Sequence, residues 1–343
     1  MRRITTALGL VALLAAVGVT VAVAAKPASS TSSTGTGSVF VSNPVEDLGI
    51  QTLTDQKDSA AAVPAAAYHQ VTLTDLDGSG FLRGRWATIL SETGNPAYSP
   101  GNSFNFNRSQ DEFEQVMAYF WITEAQKYIQ SLGFGSTRRP VNKESQLLRI
   151  NQWGLDNSFA TSKKDEIRLG KGGVDDAEDG EVILHEYGHA IHFSQNFSFA
   201  SAEAGAISEG FGDYWAVTTS QVVRAKLGLP PLSDPACVAD WDSTSYDPTE
   251  PHCLRRTDTN LHYPENLTGA VHADGRIWSR ALFDIRNAIG NVRADTVILE
   301  GQFDFPGTTM TALATSTVAA AQRIYGRSTA NAVRGAFEDR GIL

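Results

Sequence analysis

Cysteine is scarce in this sequence, with two residues, Cys237 and Cys253, in a chain of 343. Two cysteines exclude a disulfide-dense scaffold and a zinc site built from four cysteines. Basic residues are also in the minority, because 28 Lys and Arg stand against 38 Asp and Glu, which gives a net charge of −10. The chain therefore lacks the excess of cationic residues that binding to nucleic-acid phosphates requires, and we predict no nucleic-acid partner.

Long apolar runs are absent after the N-terminal segment. Arg2 and Arg3 precede an apolar stretch that ends in small residues at Ala25, which is typical of a secretory signal peptide over residues 1–25. The alternative is an uncleaved membrane anchor, since the stretch is long enough to cross a bilayer. We expect the signal to be removed and the protein to be secreted, without stable membrane association afterwards.

Export bears on the state of the two cysteines. Cys237 and Cys253 lie in a segment rich in Pro, Asp and Ser, which is typical of a loop. In an oxidising compartment we expect them to form a disulfide, and two buried free thiols are the alternative.

Composition and periodicity divide the rest of the chain. Residues 26–38 are rich in Ser, Thr and Gly and are predicted to form a linker, so that the folded part begins at Val39. A capping box of Ser109 and Glu112 predicts the start of the first long helix. Alternating apolar residues predict strands at 68–73, 81–89, 146–152 and 166–169. Helical periodicity predicts helices at 181–195, 202–226, 276–288, 311–325 and 328–340. The chain is thus predicted to be α+β, with a mixed first half and a mainly α-helical second half.

The strongest functional signal is the motif H-E-x-x-H at residues 185–189. His185 and His189 are one helical turn apart, so both imidazoles can point at one metal ion. Glu186 is placed to act as the general base of a hydrolytic reaction. With 7 histidines in 343 residues, about 0.01 such motifs are expected by chance. We therefore predict one catalytic zinc ion.

A catalytic zinc ion needs a third protein ligand and an open position. The metzincin pattern would require Gly at 192 and His at 195, and it fails because the sequence has His192 and Gln195. Glu209, on the next predicted helix, is the third ligand that we predict. Asp213, one turn later, would accept the other ring N–H of a ligand histidine. His192 is a rival ligand, although a third histidine from the same helix would strain the geometry, and a satisfied or partly exposed histidine is the better interpretation.

These motifs resemble those of the thermolysin- and fungalysin-type zinc metallopeptidases, the gluzincins. The segments HEYGHA, SEGFGDYWA and GAVHADGRIW are most similar to the fungalysin side. The resemblance implies a two-lobed zincin fold of the α+β class. The N-terminal lobe, residues 39–195, would contain a mixed β-sheet and the helix of the H-E-x-x-H motif, and residues 196–343 would form an α-helical C-terminal lobe.

The resemblance also implies roles for residues outside the zinc ligands. His272 would hydrogen-bond the tetrahedral intermediate. Asn157 and Ser158 would belong to the edge segment that pairs with the substrate backbone, where Asn157 would hydrogen-bond the substrate main chain. Arg255 would hold a substrate carbonyl, although Arg256 could equally serve.

Calcium is a second ion that the resemblance suggests. The acidic cluster Asp175, Asp176, Asp179 and Glu181 is a candidate for it, with a solvated acidic loop as the alternative.

The predicted function is a secreted zinc endopeptidase that acts as a monomer on protein or peptide substrates. The first alternative is a zinc aminopeptidase, which shares the motif and a distal glutamate but adds an acidic site for the substrate N-terminus. The second is a non-catalytic domain that retains zinc. Glu186 and His272 argue against the second alternative, because a structural zinc site needs neither residue.

Overall fold

The computed structural model describes residues 33–91, 94–151 and 154–343. The predicted signal peptide, residues 1–25, lies outside these ranges, as does the linker up to residue 32. The described chain has the predicted α+β fold, with short mixed sheets in the first half and mainly helices in the second. Every helix in these ranges is too short or too polar to cross a membrane.

Most strands lie in the first half of the described chain and most helices in the second. The strands are β1 Ser33–Val39, β2 His69–Leu76, β3 Ala87–Ser91, β4 Ser103–Phe104, β5 Gln146–Arg149, β6 Phe159–Thr161, β7 Glu166–Arg168, β8 Cys237–Val238 and β9 Arg255–Arg256. The helices are α1 Pro44–Leu48, α2 Asp111–Ser131, α3 Gly180–Ser194, α4 Ala202–Lys226, α5 Asp240–Ser243, α6 Val271–Ile289, α7 Asn291–Gly301, α8 Met310–Tyr325 and α9 Arg327–Glu338.

Two small sheets form the β part of the first half. One has the strand order β2-β1-β4, and the other has the order β3-β5-β7-β6. In the second sheet β5 pairs in parallel with β3 and β7, whereas β6 runs antiparallel to β7 at the edge. Asn157 and Ser158 directly precede this edge strand, and their contact with a substrate backbone stays a prediction.

The start of the folded part is a correction to the sequence prediction. Residues 33–38, assigned to the linker, belong to β1, which lies between β2 and β4. A Cβ on Gly35 would come 2.3 Å from the carbonyl oxygen of Asn102, and one on Gly37 would come 2.8 Å from Val116. The glycines therefore permit close packing of a central strand, a tertiary requirement that composition alone does not distinguish from flexibility.

The helix and strand boundaries contain further corrections. The α2 helix begins at Asp111, because the hydroxyl of Ser109 donates to Asn107 instead of forming the predicted capping box. The strand predicted at 81–89 is reduced to β3, since Phe81 pairs only through an isolated bridge. The helix α7 was not predicted, and it begins after Gly290 without a side-chain cap that could mark it in the sequence.

The helices α3 and α4 pack closely through two glycines. A Cβ on Gly188 would lie 2.9 Å from the Cα of Gly212, and a Cβ on Gly212 would lie 2.7 Å from Nδ1 of His185. The α4 helix continues beneath the site as a core element, with Tyr214 and Trp215 fully buried. This close approach sets the separation between the histidines of α3 and the acidic residues of α4.

The predicted disulfide between Cys237 and Cys253 is present. The Cα atoms are 5.3 Å apart and the sequence separation is 16 residues. It closes the segment that leads from β8 to β9, and these strands pair with Val238 opposite Arg255. The disulfide thus restricts the movement of the loop that carries Arg255 towards α4.

We predict that Gly212→Ala destabilises the protein by about 1–3 kcal/mol, because the added methyl group must displace the His185 ring or separate the helices. Gly335, in α9, is the matched control, since a Cβ there meets nothing within 4 Å. Gly335→Ala should stabilise by up to about 1 kcal/mol through helix propensity alone. Urea unfolding measures both changes, and equal free energies of unfolding for the two variants would contradict the tight packing.

Candidate active site

A cavity of about 830 Å³ lies between β6 and the helices that follow it. Its walls come from the segment 156–160, from α3 and α4, from the β8–β9 region and from the start of α6. The walls include His185, Glu186, His189, Glu209 and His272. The fold thus brings residues that are distant in sequence to one concave site.

Two histidines and one glutamate converge in this cavity. One ligand atom each of His185, His189 and Glu209 lies within 4.8 Å of the others. The distance from Nε2 of His185 to Oε2 of Glu209 is 3.3 Å, and that from Nε2 of His189 to Oε1 of Glu209 is 3.7 Å. The α3 helix presents both imidazoles on one face, and α4 brings the carboxylate to them.

The other ring nitrogens of both histidines have partners of their own. Nδ1 of His185 lies 2.9 Å from Oδ1 of Asp213, and Nδ1 of His189 lies 2.8 Å from the hydroxyl of Ser208. These contacts leave both Nε2 atoms directed at Glu209. A catalytic zinc ion prefers donors of this kind, two imidazole nitrogens and a carboxylate, with each imidazole oriented by a hydrogen bond at its other ring nitrogen. The residues present therefore fit this metal.

Asp213 is a buried carboxylate that is paired with Arg255 and His185. Arg255 donates to both of its carboxylate oxygens, from Nε and Nη2, at 2.7 Å each. Burial alone would raise the pKa of Asp213, but Arg255 and His185 outweigh burial and hold this pKa far below its usual value. In turn, burial would lower the pKa of His185, and its bonds to Asp213 and Glu209 raise it to about 10 when no metal is bound. Asp213 and Arg255 therefore fix the orientation of His185.

The structure separates the two candidate arginines. Arg255 lines the cavity, whereas Arg256 pairs with Asp234 and Asp258 through contacts of 2.6 and 2.8 Å. The contact of Arg255 with Asp213 was not anticipated from the sequence, because the two residues are joined only by the tertiary fold. The predicted contact of Arg255 with a substrate carbonyl stays a prediction.

Glu186 has the environment of a proton-transfer group. It is 7% exposed, and its Oε2 atom has no hydrogen-bond partner. Burial raises the pKa of Glu186 to about 7, and the charge of Glu209 contributes in the same direction. The backbone N–H of Ala160, in β6, hydrogen-bonds the same carboxylate. One side of Glu186 is thus anchored to the edge strand while Oε2 has no partner.

His272 lies in the first turn of α6, at the mouth of the cavity. Its Nε2 atom is 3.2 Å from Oε2 of Glu209, and its side chain is 63% exposed. His272 therefore lies on the solvent side of the proposed metal ligands, beside the carboxylate of Glu209.

The rival ligand His192 lies outside the group of three donors. Its ring is stacked between Phe197 and Phe211, with centroid distances of 4.1 and 4.6 Å, and it is fully buried. Nδ1 lies 3.0 Å from the hydroxyl of Ser208, and burial lowers the pKa of His192 well below its usual value. The imidazole is consequently neutral and packed in the core. Ser208, which bridges His189 and His192, was missed by the sequence analysis, although its position next to Glu209 is a signal that could have identified it.

The acidic cluster proposed for calcium is buried, so the solvated loop given as its alternative is wrong. Asp175 lies 3.2 Å from Lys171, and Asp179 accepts a hydrogen bond from the backbone of Glu181 at the start of α3. Glu181 accepts from Ser220 and from the backbone of Ala239. Because these carboxylates are held by partners within the chain, they give calcium no support. The fourth residue, Asp176, lines the cavity, as Glu181 also does.

The described fold is similar to that of a solved structure, the precursor of protealysin, a metalloproteinase from Serratia proteamaculans. The similarity has a TM-score of 0.53 at 15% sequence identity, and it covers 74% of this chain and 87% of the other. No protein-family model and no curated protein matches the sequence. The likeness supports a thermolysin-like fold and does not distinguish the fungalysin side, so that closer assignment stays a prediction.

We predict that Glu209→Ala abolishes stoichiometric zinc binding, because the two imidazoles alone cannot complete the donor set. His192→Phe should keep one zinc ion per chain, since a phenyl ring replaces a neutral imidazole between two aromatic rings. Elemental analysis after dialysis against limiting zinc measures both. Full zinc occupancy in Glu209→Ala together with zinc loss in His192→Phe would identify His192 as the third ligand.

Proposed function

We propose that the protein is a secreted zinc endopeptidase that hydrolyses internal peptide bonds of proteins. The observation that carries this proposal is the convergence of His185, His189 and Glu209 in the same cavity as the unpartnered Oε2 of Glu186. A structural zinc site needs no such carboxylate beside its donors, which argues against a non-catalytic domain. Secretion rests on the N-terminal segment of the sequence.

The three donors would hold the metal through Nε2 of His185, Nε2 of His189 and the carboxylate of Glu209. When bound, zinc would polarise the scissile carbonyl and lower the pKa of a water molecule to about 7. Asp213 and Ser208 would keep the two imidazoles in the tautomer that leaves Nε2 available to the metal.

Glu186 would move the proton in this reaction. Its Oε2 atom would accept a proton from the attacking water and then deliver it to the nitrogen of the leaving amine. The hydrogen bond from the backbone N–H of Ala160 would restrain the carboxylate while Oε2 accepts and then releases the proton. Burial raises the pKa of Glu186 to about 7, which suits a group that must both accept and release a proton near neutral pH.

His272 and Arg255 would act on the substrate carbonyl. His272 would donate from its ring to the oxyanion of the tetrahedral intermediate, which forms at the solvent side of the donors. Arg255 uses Nε and Nη2 for Asp213, so Nη1 is the atom that would reach a carbonyl oxygen.

The substrate backbone would add to the edge of the second sheet. A peptide beside β6 would extend the sheet by one strand, and Asn157 and Ser158 would bind its main chain. Strand addition recognises backbone groups and needs no chain terminus, which favours an endopeptidase.

A zinc aminopeptidase has one observation in its favour. Asp156, Asp176 and Asp242 lie in the same cavity and could bind an α-amino group. Hydrolysis of N-acetylated and free-amine versions of one peptide distinguishes the two activities. We expect comparable kcat/KM values for both versions, whereas an absolute need for the free amine would identify an aminopeptidase.

The purified protein should hydrolyse casein, lose this activity in a chelator and regain it with zinc. Glu186→Gln should retain one zinc ion and lose activity by about 10²–10⁴-fold, because the proton acceptor is removed while the ligands stay. Glu265→Gln is the matched control at an exposed glutamate and should leave turnover unchanged. Wild-type turnover by Glu186→Gln would remove Glu186 from the mechanism.

We predict that His272→Ala lowers kcat by about 10²–10³-fold with little change in KM, because an oxyanion donor acts mainly in the transition state. Zinc content should be unchanged. His262→Ala, at another histidine outside the cavity lining, is the control. Steady-state kinetics on a quenched fluorescent peptide measures both, and an unchanged kcat in His272→Ala would refute the proposed role.

A further inference from the structure

A second cluster of carboxylates lies in the same cavity, beside the proposed zinc site. Asp156, Asp176 and Asp242 each have one oxygen within 4.8 Å of the others, and all three line the cavity with Glu186. They come from three segments that are far apart in sequence: the loop before β6, the turn before α3, and α5. The proposed mechanism uses none of them.

Two of these carboxylates have an oxygen without a partner in the buried wall of the cavity. Asp176 and Asp242 are 3% and 5% exposed. Ser158 donates to Oδ2 of Asp176, and Tyr246 donates to Oδ2 of Asp242. The Oδ1 atom of each has no hydrogen-bond partner. Leaving a buried carboxylate oxygen without a hydrogen bond costs free energy. The two Oδ1 atoms therefore favour a ligand that supplies hydrogen-bond donors or positive charge.

The charges of the cavity favour a cation at this position. Burial raises the pKa of Asp242 well above its usual value, and the charges of Asp176 and Asp156 raise it further. Burial also raises the pKa of Asp176 to about 7. Among the described residues that line the cavity, Arg255 is the only arginine or lysine, and Asp213 already occupies two of its nitrogens. An incoming cation would relieve the repulsion between the three carboxylates.

We propose that Asp156, Asp176 and Asp242 form a subsite for an organic cation of the substrate, the ammonium or guanidinium group of a lysine or arginine side chain near the scissile bond. This inference rests on the proposed peptidase function and adds a specificity to it. Val238 and Leu254, which line the same cavity, offer apolar surface for the methylene groups of such a side chain. Asp176 is close enough to Glu186 for their charges to interact, so the bound residue would lie near the bond that Glu186 serves.

The arrangement suits an organic cation better than a calcium ion. Calcium takes six to eight oxygen ligands. Here the Oδ2 atoms of Asp176 and Asp242 already accept hydrogen bonds from Ser158 and Tyr246, and Asp156 is exposed. A lysine ammonium carries three donors and an arginine guanidinium five, which matches a small number of carboxylate oxygens.

Binding to the Glu186→Gln protein tests this subsite without hydrolysis. The probes are short alanine-based peptides, acetylated at the N-terminus and labelled at the C-terminus, in which one lysine or one norleucine occupies each position in turn. Norleucine keeps the straight side chain and removes the charge. Fluorescence anisotropy should show that lysine at one position binds about tenfold or more tightly than norleucine.

Variants that remove one negative charge each test whether these carboxylates cause the preference for lysine. Asp176→Asn and Asp242→Asn, each added to Glu186→Gln, should reduce the preference for lysine to about twofold or less, because each removes one carboxylate while keeping the side-chain shape. Asp304→Asn is the matched control at an exposed aspartate that pairs with Arg139, and it should leave the preference intact. Circular dichroism verifies that each variant is folded.

Five outcomes decide the inference. Equal binding of lysine and norleucine peptides overturns it, as does a lysine preference that survives in both aspartate variants. If only free-amine versions of the same peptides bind and the acetylated probes do not, the inference is overturned in favour of recognition of the substrate N-terminus. Stoichiometric binding of Ca²⁺ alone, lost in Asp242→Asn and abolishing the lysine preference, overturns it in favour of a metal site. A lysine preference in binding without hydrolysis by the wild-type protein would sustain the subsite and refute only the peptidase activity.

Discussion

The close packing of α3 against α4 is the constraint on which the candidate site depends. Gly188 and Gly212 have no side chains, and the backbones therefore approach near enough for the His185 ring to lie against α4. Only at this separation can two histidines of one helix meet Glu209 and Asp213 of the other. The cavity, the orientation of both imidazoles and the position of Glu186 all follow from this pair of helices.

Electrostatics divides the carboxylates around the cavity into two groups. Asp213 and Glu209 have basic neighbours that outweigh burial, and their pKa values are held low. Glu186 and Asp176 lack such compensation, so burial raises their pKa values to about 7. The first group suits fixed negative charge beside a metal ion, and the second suits proton transfer or the binding of a cation.

Local signals predicted much of the site and less of the fold. The H-E-x-x-H motif and the pair Glu209 and Asp213, one turn apart on α4, depend on helical spacing, which can be recognised in the sequence. Strand β1 was missed because its glycines look like a linker until their close neighbours are known. The subsite of Asp156, Asp176 and Asp242 is assembled by tertiary contacts between distant segments, so no spacing in the sequence marks it.

The position of zinc in a crystal of the wild-type protein tests the proposed metal site independently of activity. An anomalous difference map, recorded at the zinc absorption edge from crystals grown with stoichiometric zinc, reports the position of the metal independently of activity. We expect one peak at about 2.0–2.2 Å from Nε2 of His185, Nε2 of His189 and a carboxylate oxygen of Glu209. A peak bound by His192, or by Asp156, Asp176 and Asp242 with none at the histidines, would contradict this expectation.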